Sequence, residues 1–551
     1  MKQLFRKKPI GPGTAAEGQV HGGHTLGRHL SARDLTFFGI AAIIGAGSFS
    51  SMGEACFKGG PGVTLLFAMC GVACGFTALC YAEFAARVPA SGSAYTYAYV
   101  SFGELFAWVI GWALLMEYSI GNIYVAFSWS GYFTNLLEGF GLHLPEWLTI
   151  NYRSAGRAAA AGTAGEGLAA WTGAPMVGGL RIIFDLPAVA INVLITALVY
   201  RGVKESRNAS NAMVIVKLAI IALVVAVGAF HVDIDNWTPF MPNGFGGVMA
   251  GVSAVFFAYI GFDAVSTLAE ESRDPQRDLP RGMIGSLVIC TTVYIILALV
   301  LTGMVPWSQL NVSDPLAEVF AIKGVKWMLY VVSIGAVVAM TSVLLVFQMG
   351  QPRIWMSMSR DGLLPPRFAR IHPRHRTPGF STIVTGLVVG VPIFFTDESF
   401  ILDFTSIGTL FAFVLVCGGV LMLPRRERTP GGFHLPYINA RWTAPAMLLG
   451  TVVLLLIVLP GYFPGLLGGE RSAQQVPELV FWAVALAVAV LAHIKQWSMI
   501  PVLGLLSCCW LLTGMEVSNW TWFSIWLAIG LACYFAYGYR HSRLAKERPA
   551  G

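Results

Sequence analysis

Lys217 lies inside the apolar run NAMVIVKLAIIALVVAVGAF, ten residues beyond Arg207. An ammonium at that depth in a bilayer costs about 2.5–3.5 kcal/mol on insertion scales and is functional by default. It is a candidate proton-coupling group, set against the blander reading of a lysine that snorkels to the near face. Glu117, in GWALLMEYSIGN, and Asp263, in FFAYIGFDAVSTLAEE, are acids in similarly apolar surroundings. Glu117 reads as a pocket residue able to meet a cation. Asp263 reads first as a group that satisfies free backbone near it. Glu270 and Glu271 follow at the end of the same run and are expected to pair with Arg273, Arg277 or Arg281 as gate or loop-anchoring residues. Glu83 and Asp403 read as structural.

Two runs carry glycines where a continuous helix is disfavoured. One is GIAAIIGAGSFSSMG, with Gly45-Ala46-Gly47 in mid-run; the other holds Gly261. Paired interruptions at matching places in two halves of a membrane chain point to a binding site. A break frees backbone N–H and C=O groups where no water can reach them. Freed N–H groups can hold a carboxylate and freed C=O groups an ammonium. Together they suit the α-groups of an amino acid. The alternative is that these glycines only allow close helix packing. Phe256, Phe257 and Tyr259 line the second break, and Phe257 reads as a gate over the bound molecule.

The elements that must position these residues are membrane spans. The chain has 551 residues, 56% hydrophobic and only 12% charged, with mean hydropathy +0.67. Average soluble domains carry about twice that charge. Apolar runs long enough to cross a bilayer recur throughout. A soluble enzyme, a disulfide-rich secreted domain, a coiled coil and a disordered chain are excluded. Continuous rather than alternating hydrophobicity excludes a β-barrel. The expected class is an all-α polytopic membrane protein with about fourteen spans, near 34–57, 62–87, 104–136, 181–200, 211–230, 246–269, 282–304, 327–352, 379–396, 399–423, 442–460, 478–495, 499–515 and 520–538. The third is too long for one straight span, so tilt or a preceding interfacial helix is expected.

Most of the 36 lysines and arginines fall on one side if the N-terminus is inside, which predicts both termini in the cytoplasm. The basic N-terminal stretch has no apolar core and reads as a tail rather than a signal peptide. Most of the nine cysteines lie in apolar runs, form no CxxC pair and read as packing residues. Residues 153–179 form an Ala/Gly-rich outer loop expected to be flexible or to hold a short interfacial helix. No Walker A loop, HExxH or GxSxG is present, and no strand precedes GxGxF at 45–49. The chain is therefore read as neither an enzyme nor an ATP-driven pump, with no cofactor, no metal and no nucleic-acid partner.

The stretches GIAAIIGAGSF (39–49), PASGSAYTYAY (89–99), FAYIGFDAVSTLAEESRDPQRDLPRG (257–282), RIWMSMSRDGLLP (353–365), SIGTLFAF (406–413) and WLAIGLACYFAYGYRHS (526–542) run nearly from end to end. In them the chain resembles the amino acid–polyamine–organocation superfamily, most closely its cationic amino acid transporter family. The resemblance implies the leucine-transporter fold, a 5+5 inverted repeat with helices 1 and 6 broken. The extra spans near 442–495 are similar to the fourteen-span animal members. Carried over by position, the backbone of Ile43, Ile44, Gly45, Ala46 and Gly47 would bind the substrate carboxylate. Phe257, Ala258, Tyr259 and Ile260 lie at the second break, where the backbone of Phe257, Ala258 and Ile260 would receive the amine. Lys217 matches the lysine assigned to proton coupling in bacterial members, and Met340 a position lining the side-chain pocket. Two residues depart from the family pattern. Ala46 stands where Ser or Thr is usual, and Ser48 where an aliphatic residue is usual.

The organisation expected is a tail at 1–32, a first repeat at 33–230, a second at 246–423, four peripheral spans at 442–538 and a tail at 539–551. The expected function is a proton-coupled amino acid permease of a bacterial inner membrane, working as a monomer by alternating access. Its partners are an L-amino acid, protons and the bilayer. Buried Glu117 favours a cationic side chain and bulky Met340 a small neutral one, so both stay open. The rivals are a proton-independent amino acid or polyamine exchanger and a transporter-like amino acid sensor.

Overall fold

The computed structural model describes residues 4–9, 28–45, 47–162, 165–312, 314–396, 398–424, 433–468, 475–515 and 517–547. Helix α1 (Ala32–Ile43) opens on a capping box, in which Ser31 and Asp34 satisfy each other's backbone N–H. The helix stops at Ile44, whose backbone turns extended (φ −81°, ψ 103°). The chain resumes as a π-helical turn over Gly47–Ser51 and continues as α2 (Met52–Gly59). Gly60-Pro61-Gly62 reverses it into α3 (Val63–Arg87). The expected third span is the continuous α5 (Glu104–Gly139), preceded by the short α4 (Ala94–Ser101). At 36 residues α5 is about 54 Å long, well beyond a hydrocarbon core of about 30 Å.

The Ala/Gly-rich loop is folded. Asn151 caps α6 (Tyr152–Ala161), and α7 (Glu166–Gly173) and the hairpin β1 (Met176–Val177) and β2 (Leu180–Arg181) follow. A small separate core of Ala155, Ala170, Ala174 and Ile183 joins them, with Trp147, Ile150 and Trp171 packed against it. Small side chains there let short helices approach closely, which composition alone did not reveal. The fourth expected span begins later than 181, at α8 (Leu186–Arg201), because Asp185 caps it and Pro187 sits in its first turn. Next comes α9 (Val203–Ala229), which carries Lys217.

The second interrupted element starts with α10 (Gly244–Ala250) and α11 (Val252–Phe257). It breaks at Gly261 and ends as a 3₁₀ helix over Phe262–Glu271. Then come α12 (Pro275–Met304), α13 (Pro315–Ile322), α14 (Lys326–Arg360), α15 (Gly379–Ile393) and α16 (Glu398–Met422). The C-terminal group is α17 (Thr443–Val458), α18 (Tyr462–Gly468), α19 (Val476–Lys495), α20 (Met499–Thr513) and α21 (Val517–Cys533).

Among the described residues, eight helical segments are long and apolar enough to cross a membrane, and five shorter helices are apolar too. Their burial separates centre from rim. The stretch Val252–Glu271 is 94% buried, whereas those at Val476–Lys495 and Val517–Lys546 are 22% buried. The interrupted element is thus at the core, while α19 and α21 lie on the outside of the bundle.

Two contacts hold the broken elements together. Gly261 adopts φ +117°, and a Cβ there would come within 2.6 Å of the Ala42 Cβ. At the other side, a Cβ on Gly47 would come 2.4 Å from the Ala258 Cα. Below the breaks, the Glu271 carbonyl accepts the N–H groups of both His29 and Leu30 at 3.0 Å. Its carboxylate pairs with Arg353 on α14 (Nε–Oε1 2.8 Å), and both side chains are buried. Glu270 pairs with Arg360. This corrects the expectation that Arg273, Arg277 or Arg281 would hold these acids. Those three arginines are exposed, while the 3₁₀ turn aims both glutamates at α14. Glu83 has a structural role, bonded to Arg87 and to the Leu435 N–H. The side chain of Asp403 lies outside the described residues.

Two stability outcomes follow. Gly261→Ala must hold a left-handed backbone and displace Ala42, so it should lose about 1–3 kcal/mol. Gly75→Ala, inside α3 with open space around it, should keep or raise the melting midpoint. Arg353→Gln strands a buried carboxylate and should cost about 3–5 kcal/mol. Arg273→Gln should cost nothing measurable, and equal destabilisation by the two would contradict the pairing.

Candidate functional site

The centre of the site is a backbone that has lost its helical partners. Lys217 reaches across from α9 and donates to the Ala41 carbonyl (3.1 Å), the Ile44 carbonyl (2.6 Å) and the Ser342 hydroxyl on α14 (2.9 Å). It is completely buried. An ammonium has three N–H donors, and here each meets an acceptor. Snorkelling is excluded by this geometry, because the side chain points into the bundle.

A second polar group spans both breaks. The Tyr294 hydroxyl on α12 lies 2.7 Å from the Ile43 carbonyl and 2.9 Å from the Ala258 carbonyl. It has one proton to give to two acceptors, one from each interrupted element. The Ser48 hydroxyl donates to the Gly45 carbonyl (2.9 Å), and Tyr132 donates to the Phe49 carbonyl (2.7 Å). Ser48, one of the departures from the family pattern, therefore helps satisfy the break. Among the described residues the Gly45 N–H makes no hydrogen bond, as a carboxylate-holding donor requires.

The structure brings most of the sequence-predicted contacts together. Ile43, Ile44, Gly45 and Gly47 form the first break, and Ala258 of the second touches Gly47. Ala46 lies outside the described residues. Phe257 ends α11 and packs edge-on against Tyr124 with ring centroids 4.8 Å apart. Ile260 is buried beside Gly261. Tyr259 turns its side chain away: its hydroxyl donates to the Phe67 carbonyl at 2.7 Å, so only its backbone belongs to the break. Met340 is fully buried, and its neighbour Ala339 lies close to Gly45.

Glu117 sits on α5, 2% exposed, beside Gly408 and Thr409 of α16. Among the described residues one of its oxygens, Oε2, meets no hydrogen-bond partner, and the same holds for Asp263 Oδ2. The two acids are close enough to interact electrostatically. Asp263 also lies against the backbone N–H groups of Gly261 and Ala264, as expected of a group that satisfies the break. No metal-binding cluster of His, Cys, Asp and Glu exists among the described residues.

Sequence reasoning missed Tyr294 and Ser342. Both are hydroxyls within apolar runs, and only the fold shows which carbonyl each one serves. Two cavities, of 280 and 530 Å³, lie elsewhere: one among α19, α20 and α21, the other at the ends of α3 and α16. The described residues of both breaks are all buried.

Comparison with known proteins shows the family of the chain. Residues 30–491 match the amino acid permease family model, and residues 499–542 match the model for the C-terminus of these permeases. The methylthioribose transporter of Bacillus subtilis is 37% identical over 99% of this chain and all of its own length. The branched-chain amino acid permease BcaP of the same organism is 37% identical over 98% of this chain and 99% of its own. Cationic amino acid transporter 9, chloroplastic, of Arabidopsis thaliana is 35% identical over 94% and 89%. With a family model covering most of its length and transporters matching it nearly end to end, the chain belongs to the amino acid permease family and is an integral membrane transporter rather than an enzyme.

Proposed function

We propose that this chain is a proton-coupled secondary active permease for L-amino acids. The observation that carries the reading is the triple contact of Lys217. A protonated lysine satisfies the Ala41 and Ile44 carbonyls and Ser342 at once. A neutral amine has one donor fewer and leaves one acceptor without its partner. Loss of the proton therefore loosens the first break from α9 and α14, and a conformation that offers other partners gains by it. That is the differential interaction a coupled cycle requires.

The remainder of the reading follows from the family and the breaks. The architecture is a 5+5 inverted repeat of the leucine-transporter kind with α1 and α11 as its interrupted helices, about fourteen spans in all. The repeats occupy 33–230 and 246–423, with peripheral spans at 442–538 and short tails at 1–32 and 539–551. Both termini are cytoplasmic in a bacterial inner membrane, and the working unit is a monomer. The backbone of Ile43 to Gly47 holds the substrate carboxylate, and that of Phe257, Ala258 and Ile260 its amine. Phe257 gates the site. Glu117 and Met340 border the side chain, which is cationic or small and neutral. One proton moving through 100 mV supplies about 2.3 kcal/mol, enough for roughly 50-fold accumulation. A proton-independent exchanger is the alternative reading, and counterflow without a gradient is its signature.

Uptake of labelled alanine, leucine and arginine into proteoliposomes, with and without an inward proton gradient, is the test. The wild type should accumulate substrate only with the gradient, and Lys217→Ala should lose that accumulation. Gradient-indifferent uptake in both proteins, with exchange intact, would establish the exchanger and remove Lys217 from coupling. Glu117→Gln should depress arginine uptake more than alanine uptake if the carboxylate faces the side chain. Tyr294→Phe leaves the Ile43 and Ala258 carbonyls without this donor and should lower the stability by about 0.5–1.5 kcal/mol, read as a lower melting midpoint, and weaken apparent affinity with it.

A further inference from the structure

The loop between α14 and α15 carries charge that the transport site does not use. From Gly362 to Ser381 and along α8 there are five arginines (Arg201, Arg367, Arg370, Arg374 and Arg376), two histidines and no carboxylate. All five arginines are exposed, and none makes an ion pair among the described residues. The acids near the ends of the loop are already engaged: Glu270 holds Arg360, and Asp361 holds Lys8.

An excess of arginine at one end of a membrane protein can serve topology alone, and that role needs no fold. Here the arginines are held in place. His372 donates its N–H to the Thr377 carbonyl (2.8 Å) and accepts from the Arg376 N–H (2.8 Å), closing a tight turn. Arg376 takes a left-handed backbone, φ +52°, where glycine or asparagine would be less strained. The turn is pinned to the end of α8. Thr377 donates to the Tyr200 carbonyl, His375 contacts the Arg201 carbonyl, and both histidine rings pack on Tyr200. On the other side, Ser381 donates to the Phe368 carbonyl, and Phe368 stacks on Trp355.

The rim lies at the ends of two apolar helices, α8 and α15. Phe380 and Ile383 on α15 and Val193 and Leu194 on α8 are exposed apolar side chains. Leu194 lies about 10 Å along the helix from Arg201. Lipid tails against those side chains place their headgroups at the level of the arginines. We propose that this rim is a binding surface for the anionic phospholipid headgroups of the leaflet it meets. A folded basic edge directly above lipid-facing helices favours a membrane surface over a soluble acidic partner, because the bilayer is always within reach of it. This goes beyond the transport reading and does not depend on it.

The test compares the full-length chain in phosphatidylcholine nanodiscs with and without phosphatidylglycerol, read by melting midpoint and by lipid retained in native mass spectrometry. Phosphatidylglycerol should raise the wild-type midpoint, and roughly half-molar salt should abolish the rise. A variant with Arg367→Gln, Arg370→Gln, Arg374→Gln and Arg376→Gln should lose the rise, each lost charge lowering apparent affinity about fivefold. The same four changed to Lys should keep it. If the Gln variant melts early in phosphatidylcholine alone, Arg370→Gln and Arg374→Gln singly carry the same comparison. An unchanged rise in the Gln variants overturns the proposal. So does a rise given by inorganic phosphate alone, or retention of polyglutamate with no effect of phosphatidylglycerol.

Discussion

A helix broken inside a bilayer must find partners for its freed backbone, because no water is there to supply them. The centre of this protein is organised around that constraint. The carbonyls of Ala41, Ile43, Ile44 and Gly45 are met by Lys217, Tyr294 and Ser48. These partners come from three different places: α9, α12 and the broken element itself. The break is therefore stable only when the surrounding helices are in position.

The same constraint explains the close approaches. For one hydroxyl to reach a carbonyl from each break, the two elements must nearly touch. Gly47 against Ala258 and Gly261 against Ala42 allow this. The long helices α5 and α14 flank the centre, while α19 and α21 remain largely exposed on the outside of the bundle. A buried, polar centre inside an apolar exterior follows from where the unpaired backbone lies.

The cargo is a separate matter from the scaffold. Relatives named for methylthioribose, branched-chain amino acids and cationic amino acids match nearly all of this chain at 35–37% identity. Function on a shared fold is set by particular side chains. Under the proposed function Glu117 and Met340 take that role, with Asp263 electrostatically close to Glu117. Two buried carboxylates, each with an oxygen that meets no partner among the described residues, distinguish this part of the core from plain hydrocarbon packing.

The membrane class, the helical runs, both breaks and the depth of Lys217 were legible in the sequence, because each depends on local composition or on glycine spacing. The amino acid permease family was legible in motifs spread along the chain. What Lys217 touches was not legible, since Ala41 and Ser342 lie 176 and 125 residues away. The partners of Glu270 and Glu271 were misassigned for the same reason: the nearby arginines point outward, while Arg353 and Arg360 arrive from α14. The outer loop reads as flexible by composition, yet it folds around its own small core. Sequence alone determines what must be buried and where the backbone must break. Only tertiary structure decides which distant group satisfies each buried donor and acceptor, because hydrogen bonds act over about 3 Å and the chain brings those atoms together only by folding.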